Sequence, residues 1–108
     1  MILNIKNISI DSYGYLLNSK DWNRDIAKEI AYCEGITLSR EHWQIIYFLR
    51  FFYLEHNMVP GVRIIVENIK KKYGKNKGNS CYLFYLFPKG PIKQATKIAG
   101  LPRQMRCL

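Results

Sequence analysis

Residues 90–108 read GPIKQATKIAGLPRQMRCL, and they divide the chain into a helical platform and a terminal arm. The opening Gly-Pro pair is a helix-start signal, since proline suits the first helical position. Residues 92–99 favour a helix, and the Gly-Leu-Pro at 100–102 ends it with a left-handed turn and an extended residue before the proline. We therefore predict a single compact domain over residues 1–100 and a flexible arm over residues 101–108.

Cys107 is the arm residue that can carry chemistry. The six residues after the Leu-Pro pair cannot bury a core, so we expect the thiol to be accessible. Arg103 and Arg106 lie within four residues of it, and nearby cations favour the thiolate, which is the nucleophile. The carboxylate of Leu108 acts in the opposite direction. The residues alone leave two interpretations open, a reactive thiol or a free cysteine in a frayed tail.

Four further helices are predicted upstream of this stretch. Residues 2–10, ILNIKNISI, alternate on either side of a polar pair and predict a small hairpin. The predicted fold class is therefore α+β and mostly helical, with a small N-terminal β-hairpin or sheet packed on four or five helices. The helix-start signals are, in chain order, Ser19 or Asp21, Ser39, Pro60, and Asn79 or Ser80.

The second predicted helix is aromatic-rich and is expected to form the core of the platform. Its predicted apolar face consists of Ile46, Tyr47, Phe51 and Leu54. Cys33 falls on the apolar stripe of the first helix and is predicted to be buried, and a packing role is favoured for Cys81 as well. His42 and His56 have no carboxylate or thiol at ligand spacing, so both are interpreted as surface or capping residues.

Positive charge is concentrated in the second half of the chain. Residues 1–57 hold six basic and seven acidic residues, whereas residues 58–108 hold eleven basic residues and one acid. This asymmetry indicates either an anionic partner or an ordinary solvated basic face. Three widely spaced cysteines argue against a disulfide framework and a zinc cluster, and they fit a reducing cytosol. The chain lacks an apolar run of membrane-spanning length and a signal-peptide pattern, so a cytoplasmic, non-membrane protein is expected.

The chain resembles a known protein family over essentially its whole length, including residues 14–16, 34–39 and 41–43, and the C-terminal part is the most specific. Residues 77–83 (KGNSCYL), 86–91 (LFPKGP) and 93–102 (KQATKIAGLP), followed by Cys107, are similar to the TusE/DsrC family of sulfur-relay proteins. DsrC-type members carry a second arm cysteine at the position that is Thr96 here, so the chain resembles the TusE branch, which serves 2-thiouridine formation in tRNA. The family's frequent second proline in the arm is replaced by Gln104.

The resemblance implies a sulfurtransferase that carries sulfur as a persulfide on Cys107, without a cofactor or metal. It implies a TusBCD-type sulfur donor complex and an MnmA-type tRNA 2-thiouridylase as acceptor, with direct tRNA contact left open. Basic residues are expected to favour the thiolate or persulfide anion and to meet an acidic partner surface. They are Arg103, Arg106, Lys89, Lys93 and Lys97.

Two other functions are open from the residues alone. The basic half could form a helix-turn-helix-like nucleic-acid-binding module with an inert tail, but the third helix has few side chains suited to reading bases. A purely structural subunit is the other. A classical enzyme is disfavoured, because no catalytic triad, phosphate loop or paired-carboxylate site stands out.

Overall fold

Five α-helices dominate the computed structural model, which describes residues 9–11 and 13–102. A single turn of 3-10 helix, Ser19–Asp21, precedes the first of them. The helices are α1 (Arg24–Cys33), α2 (Arg40–His56), α3 (Val62–Tyr73), α4 (Ser80–Leu86) and α5 (Pro91–Ile98).

The predicted α+β class is wrong for the part of the chain that the structure describes. Residues 9–11 and 13–102 contain no β-strand, and strand-like pairing there does not extend beyond isolated bridging, as between Ile10 and Leu16, which are antiparallel. The Asp11 carboxylate accepts hydrogen bonds from the backbone N–H groups of Tyr13 and Tyr15, so the chain turns directly after the bridge and leaves no length for a strand on that side. The rest of the predicted hairpin, residues 2–8, lies outside the described residues.

Side-chain caps mark the starts of α1, α2 and α4, and two of these three caps were predicted, whereas α3 and α5 begin without a side-chain cap hydrogen bond. Ser39 caps α2, and His42 completes a capping box by accepting from the Ser39 backbone N–H. Asn79 caps α4 through the Tyr82 N–H at 2.8 Å. The first helix differs from the prediction, because Asn23 caps it, while Ser19 and Asp21 lie in the preceding 3-10 turn.

One apolar core joins all five helices, and α5 lies at its centre, packed on α1, α2 and α4. His42 is part of this interior: its ring contacts Phe87 edge-on, and its Nε2 lies 2.8 Å from the Leu86 carbonyl oxygen. Of the two predicted options, a surface position is wrong for His42 and its capping role is confirmed, whereas His56 is exposed. The buried residues most central to the core are Ile26, Ile46, Leu49, Ile65, Leu83, Phe87 and Ile98.

The outer face of α2 is more exposed than predicted. Phe51 and Leu54 are 62% and 79% exposed, so the predicted apolar face does not end in the core. The buried stripe of α2 is instead formed by Ile45, Ile46 and Leu49. Of the helices in the described chain, none combines the length and apolar character required to cross a membrane.

Candidate functional site

The end of α5 fixes the point from which the chain leaves the platform. Gly100 has φ +72°, and its N–H donates to the Lys97 carbonyl at 3.1 Å. The Leu101 N–H reaches back to the Thr96 carbonyl at 3.2 Å. This pair of bonds is a Schellman motif, with the left-handed glycine at the position where only a residue without Cβ avoids strain. Leu101 is only 1% exposed, so the backbone is held as far as this residue.

Two side chains from elsewhere in the chain bind the last carbonyls of α5. Trp22 Nε1 donates to the Ile98 oxygen at 2.8 Å, and Arg50 Nη1 donates to the Ala99 oxygen at 2.7 Å. The Arg50 guanidinium lies over the Trp22 ring, 4.2 Å from its centroid. We call Trp22, Arg50 and these two carbonyls the arm anchor. A cation at a helix C-terminus also interacts favourably with the helix dipole.

The arginine of the anchor is partly removed from water. Desolvation by this burial lowers the pKa of Arg50 below its ordinary value. An arginine still remains protonated at neutral pH, so the half-buried charge depends on its carbonyl and aromatic partners.

The arm anchor fixes the position of the chain just before residues 103–108. The predicted site residues Cys107, Arg103 and Arg106 belong to that segment and lie outside the described residues.

The structure gathers the three predicted lysines, Lys89, Lys93 and Lys97, around one pocket. This pocket, which we call the lysine pocket, has a volume of about 290 Å³. Lys89 and Lys93 are exposed, and Lys97 is half-buried. The other lining residues are Tyr13, Tyr15, Glu34 and Gln94. Three ammonium groups against a single carboxylate make the pocket suited to an anionic group.

Glu34 and Gln94 hold the floor of the lysine pocket. Glu34 Oε2 lies 3.1 Å from Lys97 Nζ, and Glu34 Oε1 accepts from Gln94 Nε2 at 3.4 Å. Gln94 is 2% exposed, and its Oε1 accepts from the Lys89 backbone N–H at 3.0 Å. Lys97 is therefore already engaged in an ion pair, whereas Lys89 and Lys93 are the lysines that an incoming group can reach.

Two cysteines lie in the described part of the chain, and both are exposed free thiols. The predicted burial of Cys33 is wrong, because Cys33 is the last residue of α1, and the buried residues of that helix end at Ala31. The packing role favoured for Cys81 is also wrong, since it faces outward from the first turn of α4. Any test of Cys107 must therefore account for two other accessible thiols.

Sequence reasoning did not select Arg50 and placed Trp22 only on an apolar helix face. A signal for Arg50 was present, since it interrupts the run of apolar and aromatic residues from 45 to 54. An arginine in a run that must be partly buried requires partners. Which carbonyls it would meet could not be read locally, because Ala99 lies 49 residues away.

Comparison with known proteins places this geometry in a family. The chain matches the family described as "DsrC like protein" over residues 2–108. Sulfurtransferase TusE of Sodalis glossinidius is 56% identical over 108 residues, which span both chains fully. Sulfurtransferase TusE of Buchnera aphidicola is 53% identical over 103 residues, which cover 95% of this chain and 90% of that protein.

Solved structures of DsrC proteins have the same fold. The NMR structure of Allochromatium vinosum DsrC matches with a TM-score of 0.87 and 44% identity, covering 100% of this chain and 96% of the other. The crystal structure of the oxidized gamma-subunit of dissimilatory sulfite reductase (DsrC) from Archaeoglobus fulgidus matches with a TM-score of 0.86 and 34% identity, covering 95% and 94%. The prediction of the family and the prediction of a sulfurtransferase are thus confirmed. The chain belongs to the DsrC-like family, in which it is similar over its full length to sulfurtransferases named TusE.

Proposed function

We propose that this chain is a sulfur-relay carrier for tRNA thiolation. Cys107 receives a sulfur atom as a persulfide from a TusBCD-type donor complex and passes it to an MnmA-type tRNA 2-thiouridylase. The observation that carries the proposal is the full-length similarity to sulfurtransferases named TusE, together with a cysteine at residue 107 in the segment that follows the arm anchor.

The chemistry consists of two thiol exchanges. The Cys107 thiolate attacks the outer sulfur of the donor persulfide, so a new S–S bond forms on Cys107 while the donor's S–S bond breaks and its thiolate leaves. The proton of the persulfide travels with the transferred sulfur. A thiolate of the acceptor enzyme then attacks the outer sulfur on Cys107 and regenerates the Cys107 thiolate. Neither exchange needs an external oxidant or reductant, and the acceptor enzyme activates the uridine.

The anchor defines how far the thiol can travel. Leu101 is buried, so the arm's reach is counted from Pro102, and five extended residues span at most about 18 Å. Lys89 and Lys93, with Arg103 and Arg106, are proposed to meet an acidic partner surface. Since Lys97 is paired with Glu34, its proposed role is to hold the pocket wall.

The test uses intact mass after incubation with a persulfide donor. Because Cys33 and Cys81 are exposed, the starting protein is the Cys33→Ser/Cys81→Ser variant, in which Cys107 is the remaining thiol. This variant should gain about 32 Da, the mass of one sulfur on an accessible thiolate. Adding Cys107→Ser should abolish the gain. The proposal would be overturned if the Cys33→Ser/Cys81→Ser variant gained no sulfur while a variant that keeps only Cys33 or only Cys81 did gain sulfur.

Direct tRNA contact is a separate and testable part of the proposal. Lys70, Lys71 and Lys72 are exposed on the last turns of α3 and could bind phosphates without reading sequence. Binding of tRNA through phosphates should weaken steeply as salt increases. Deleting residues 103–108 distinguishes the relay from the alternative of a nucleic-acid-binding module with an inert tail. If the chain is a relay carrier, the deletion abolishes tRNA thiolation in cells. If the tail is inert, tRNA thiolation persists after the deletion.

The cellular setting is proposed on the same basis. A thiol carrier of this kind works in a reducing compartment, and the widely spaced cysteines favour the cytoplasm. The two exchanges need no metal or organic cofactor.

The arm has no second thiol that competes for the persulfide. Thr96 stands where DsrC-type members have their second cysteine, and it has no sulfur to capture the Cys107 persulfide as an intramolecular disulfide.

A further inference from the structure

We propose that a groove between α2 and α3 is a docking site for an acidic amphipathic helix of a partner protein. The groove has a volume of about 710 Å³, and neither Arg50 nor Trp22 lines it, although the Tyr47 ring of its lining contacts the Trp22 ring edge-on with centroids 6.0 Å apart. We call it the aromatic groove. Its apolar lining consists of Trp43, Tyr47, Phe48, Phe51, Ile69 and Tyr73.

The aromatic groove exposes apolar surface that α2 does not bury within the described chain. Phe51 is 62% exposed and Tyr47 is 42% exposed, whereas Ile69, at the floor, is 2% exposed. Contiguous apolar surface of this kind is typical of protein interaction sites. A trough between two helices, with large side chains along its walls, fits the apolar face of a third helix, which presents anchors at positions i, i+3, i+4 and i+7.

The walls of the groove are held in place before any partner binds. Trp43 and Tyr47 stack with ring centroids 5.8 Å apart. The Arg24 guanidinium lies 4.2 Å from the Trp43 centroid and donates to the Tyr47 hydroxyl at 2.8 Å. These ring faces are thus engaged with each other and with Arg24, which disfavours the stacking of nucleobases between them. A preformed apolar wall lowers the ordering cost of docking a helix.

The charge of the lining selects the sign of the partner. Arg40, Lys71 and Lys72 line the groove, and the described residues contribute no Asp or Glu to it. Lys71 and Lys72 also belong to the half of the chain that carries eleven basic residues and one acid. A helix with Glu or Asp flanking its apolar stripe would bring opposite charges to these cations, which speeds association and fixes orientation. A basic helix would be repelled.

The inference does not depend on sulfur transfer by Cys107. It concerns a surface on α2 and α3, whereas the exchange chemistry belongs to the segment after α5. The two features share α2, because Arg50 binds the end of α5 and the adjacent Phe51 lines the groove. A protein seated in the groove would therefore be held beside the helix that anchors the arm.

The test uses the full chain and a designed 18-residue helical peptide labelled for fluorescence anisotropy. The peptide carries Leu and Phe at i, i+3, i+4 and i+7 spacing and Glu elsewhere. There are two control peptides. One has the same residues in scrambled order, and the other has Lys in place of every Glu. We expect the acidic amphipathic peptide to bind at least tenfold more tightly than either control, and high salt to weaken its binding.

Matched substitutions locate the binding. Phe51→Glu and Lys72→Glu should each weaken peptide binding at least tenfold. Leu54→Glu makes the same change on an exposed position of α2 outside the groove, and Lys70→Glu reverses a charge on α3 outside it. Both control variants should bind as the wild type does. Circular dichroism of all four variants checks that the helices remain folded.

Several results would overturn the proposal. They are absence of peptide binding, equal binding of the scrambled peptide, or equal losses for the groove variants and their matched controls. If a poly(U) oligonucleotide bound more tightly than the peptide, and Phe51→Glu abolished that binding, the groove would be assigned to RNA. A concentration-dependent dimer in sedimentation equilibrium that Phe51→Glu dissociates would assign it to a second copy of this chain.

Discussion

Replacing Gly100 with alanine tests the arm anchor at its tightest point. Gly100 has φ +72°, in the left-handed region, and an added Cβ would lie 2.7 Å from Cγ and 2.8 Å from Cβ of Trp22. Trp22 has little freedom to move aside, because its Nε1 donates to Ile98 and its ring lies under Arg50. The substitution therefore adds strain to the backbone and a steric conflict with a constrained ring.

The two effects can be given magnitudes. A non-glycine residue in the left-handed region costs about 1–2 kcal/mol, and the lower entropy of the unfolded alanine chain returns about 0.4–1 kcal/mol. Forcing a methyl group into a filled site costs about 1–3 kcal/mol. We expect Gly100→Ala to lower the free energy of unfolding by about 2–4 kcal/mol, which is a large part of the stability of a small domain.

Gly35 provides the matched control. It also has positive φ, +75°, but a Cβ added there would meet no atom within 4 Å. Gly35→Ala should therefore show the backbone effect alone, about 1 kcal/mol or less. The difference between the two variants measures the conflict with Trp22, which we expect to be about 1–3 kcal/mol.

The assay is urea unfolding of both variants, followed by circular dichroism, with the slope checked for constancy. A double-mutant cycle with Trp22→Leu should show positive coupling, because Gly100→Ala has less to displace once the ring is removed. Equal destabilisation by Gly100→Ala and Gly35→Ala would contradict this prediction, since it would mean that Trp22 does not confine the end of α5.

Three further substitutions test other features by the same unfolding assay. Arg50→Met removes a charged hydrogen bond to Ala99 and should lower stability by about 1.5–3 kcal/mol; a change within experimental error would contradict the anchor. Thr96 is 1% exposed, and its hydroxyl has no hydrogen-bond partner among the described residues. Thr96→Val should therefore leave the free energy of unfolding unchanged or raise it by up to about 1–3 kcal/mol, and a loss above about 1 kcal/mol would contradict this prediction. Burial, and secondarily the charge of Glu41, raises the pKa of Tyr82 above 10.0, so this residue's contribution to stability is complete below pH 10 and is lost as pH rises through the folded-state pKa. Tyr82→Phe should therefore lose less stability than the wild type between pH 8 and pH 11, and identical losses would exclude this effect.

Local signals in the sequence were sufficient for most helix boundaries. Ser39, Asn79 and Pro91 act through groups within four residues of themselves, so each could be interpreted without knowledge of the fold. The error at the start of α1 is of the same local kind. Ser19, Asp21 and Asn23 all have capping side chains, and the 3-10 turn leaves only Asn23 in position to accept from Ile26.

Burial was predicted less well, because it depends on neighbours that are distant in sequence. Phe51 and Leu54 continue the apolar pattern of α2, yet the helices packed against α2 leave that part of its surface exposed. Cys33 follows the same spacing on α1 but is the last residue of the helix, beyond Ala31, the last buried residue of α1. Periodicity identifies which residues share a face and does not give the length over which that face is covered.

The candidate site shows the same division. Lys93 and Lys97 are four residues apart on α5, so their place beside one pocket follows from helix geometry, whereas Lys89 reaches the same pocket from the turn before the helix. The arm anchor does not, because Trp22 and Ile98 are separated by 76 residues and their hydrogen bond is a product of the tertiary fold.

The anchor also determines how the molecule responds to a pulling force. The last carbonyls of a helix are ordinarily the first groups to separate under tension, since nothing within the helix holds them. Here Ile98 and Ala99 are tied to side chains from before α1 and from the middle of α2. We therefore expect traction on the chain at Pro102 to be shared with α2 and with the segment before α1, so that α5 resists unwinding from its C-terminal end.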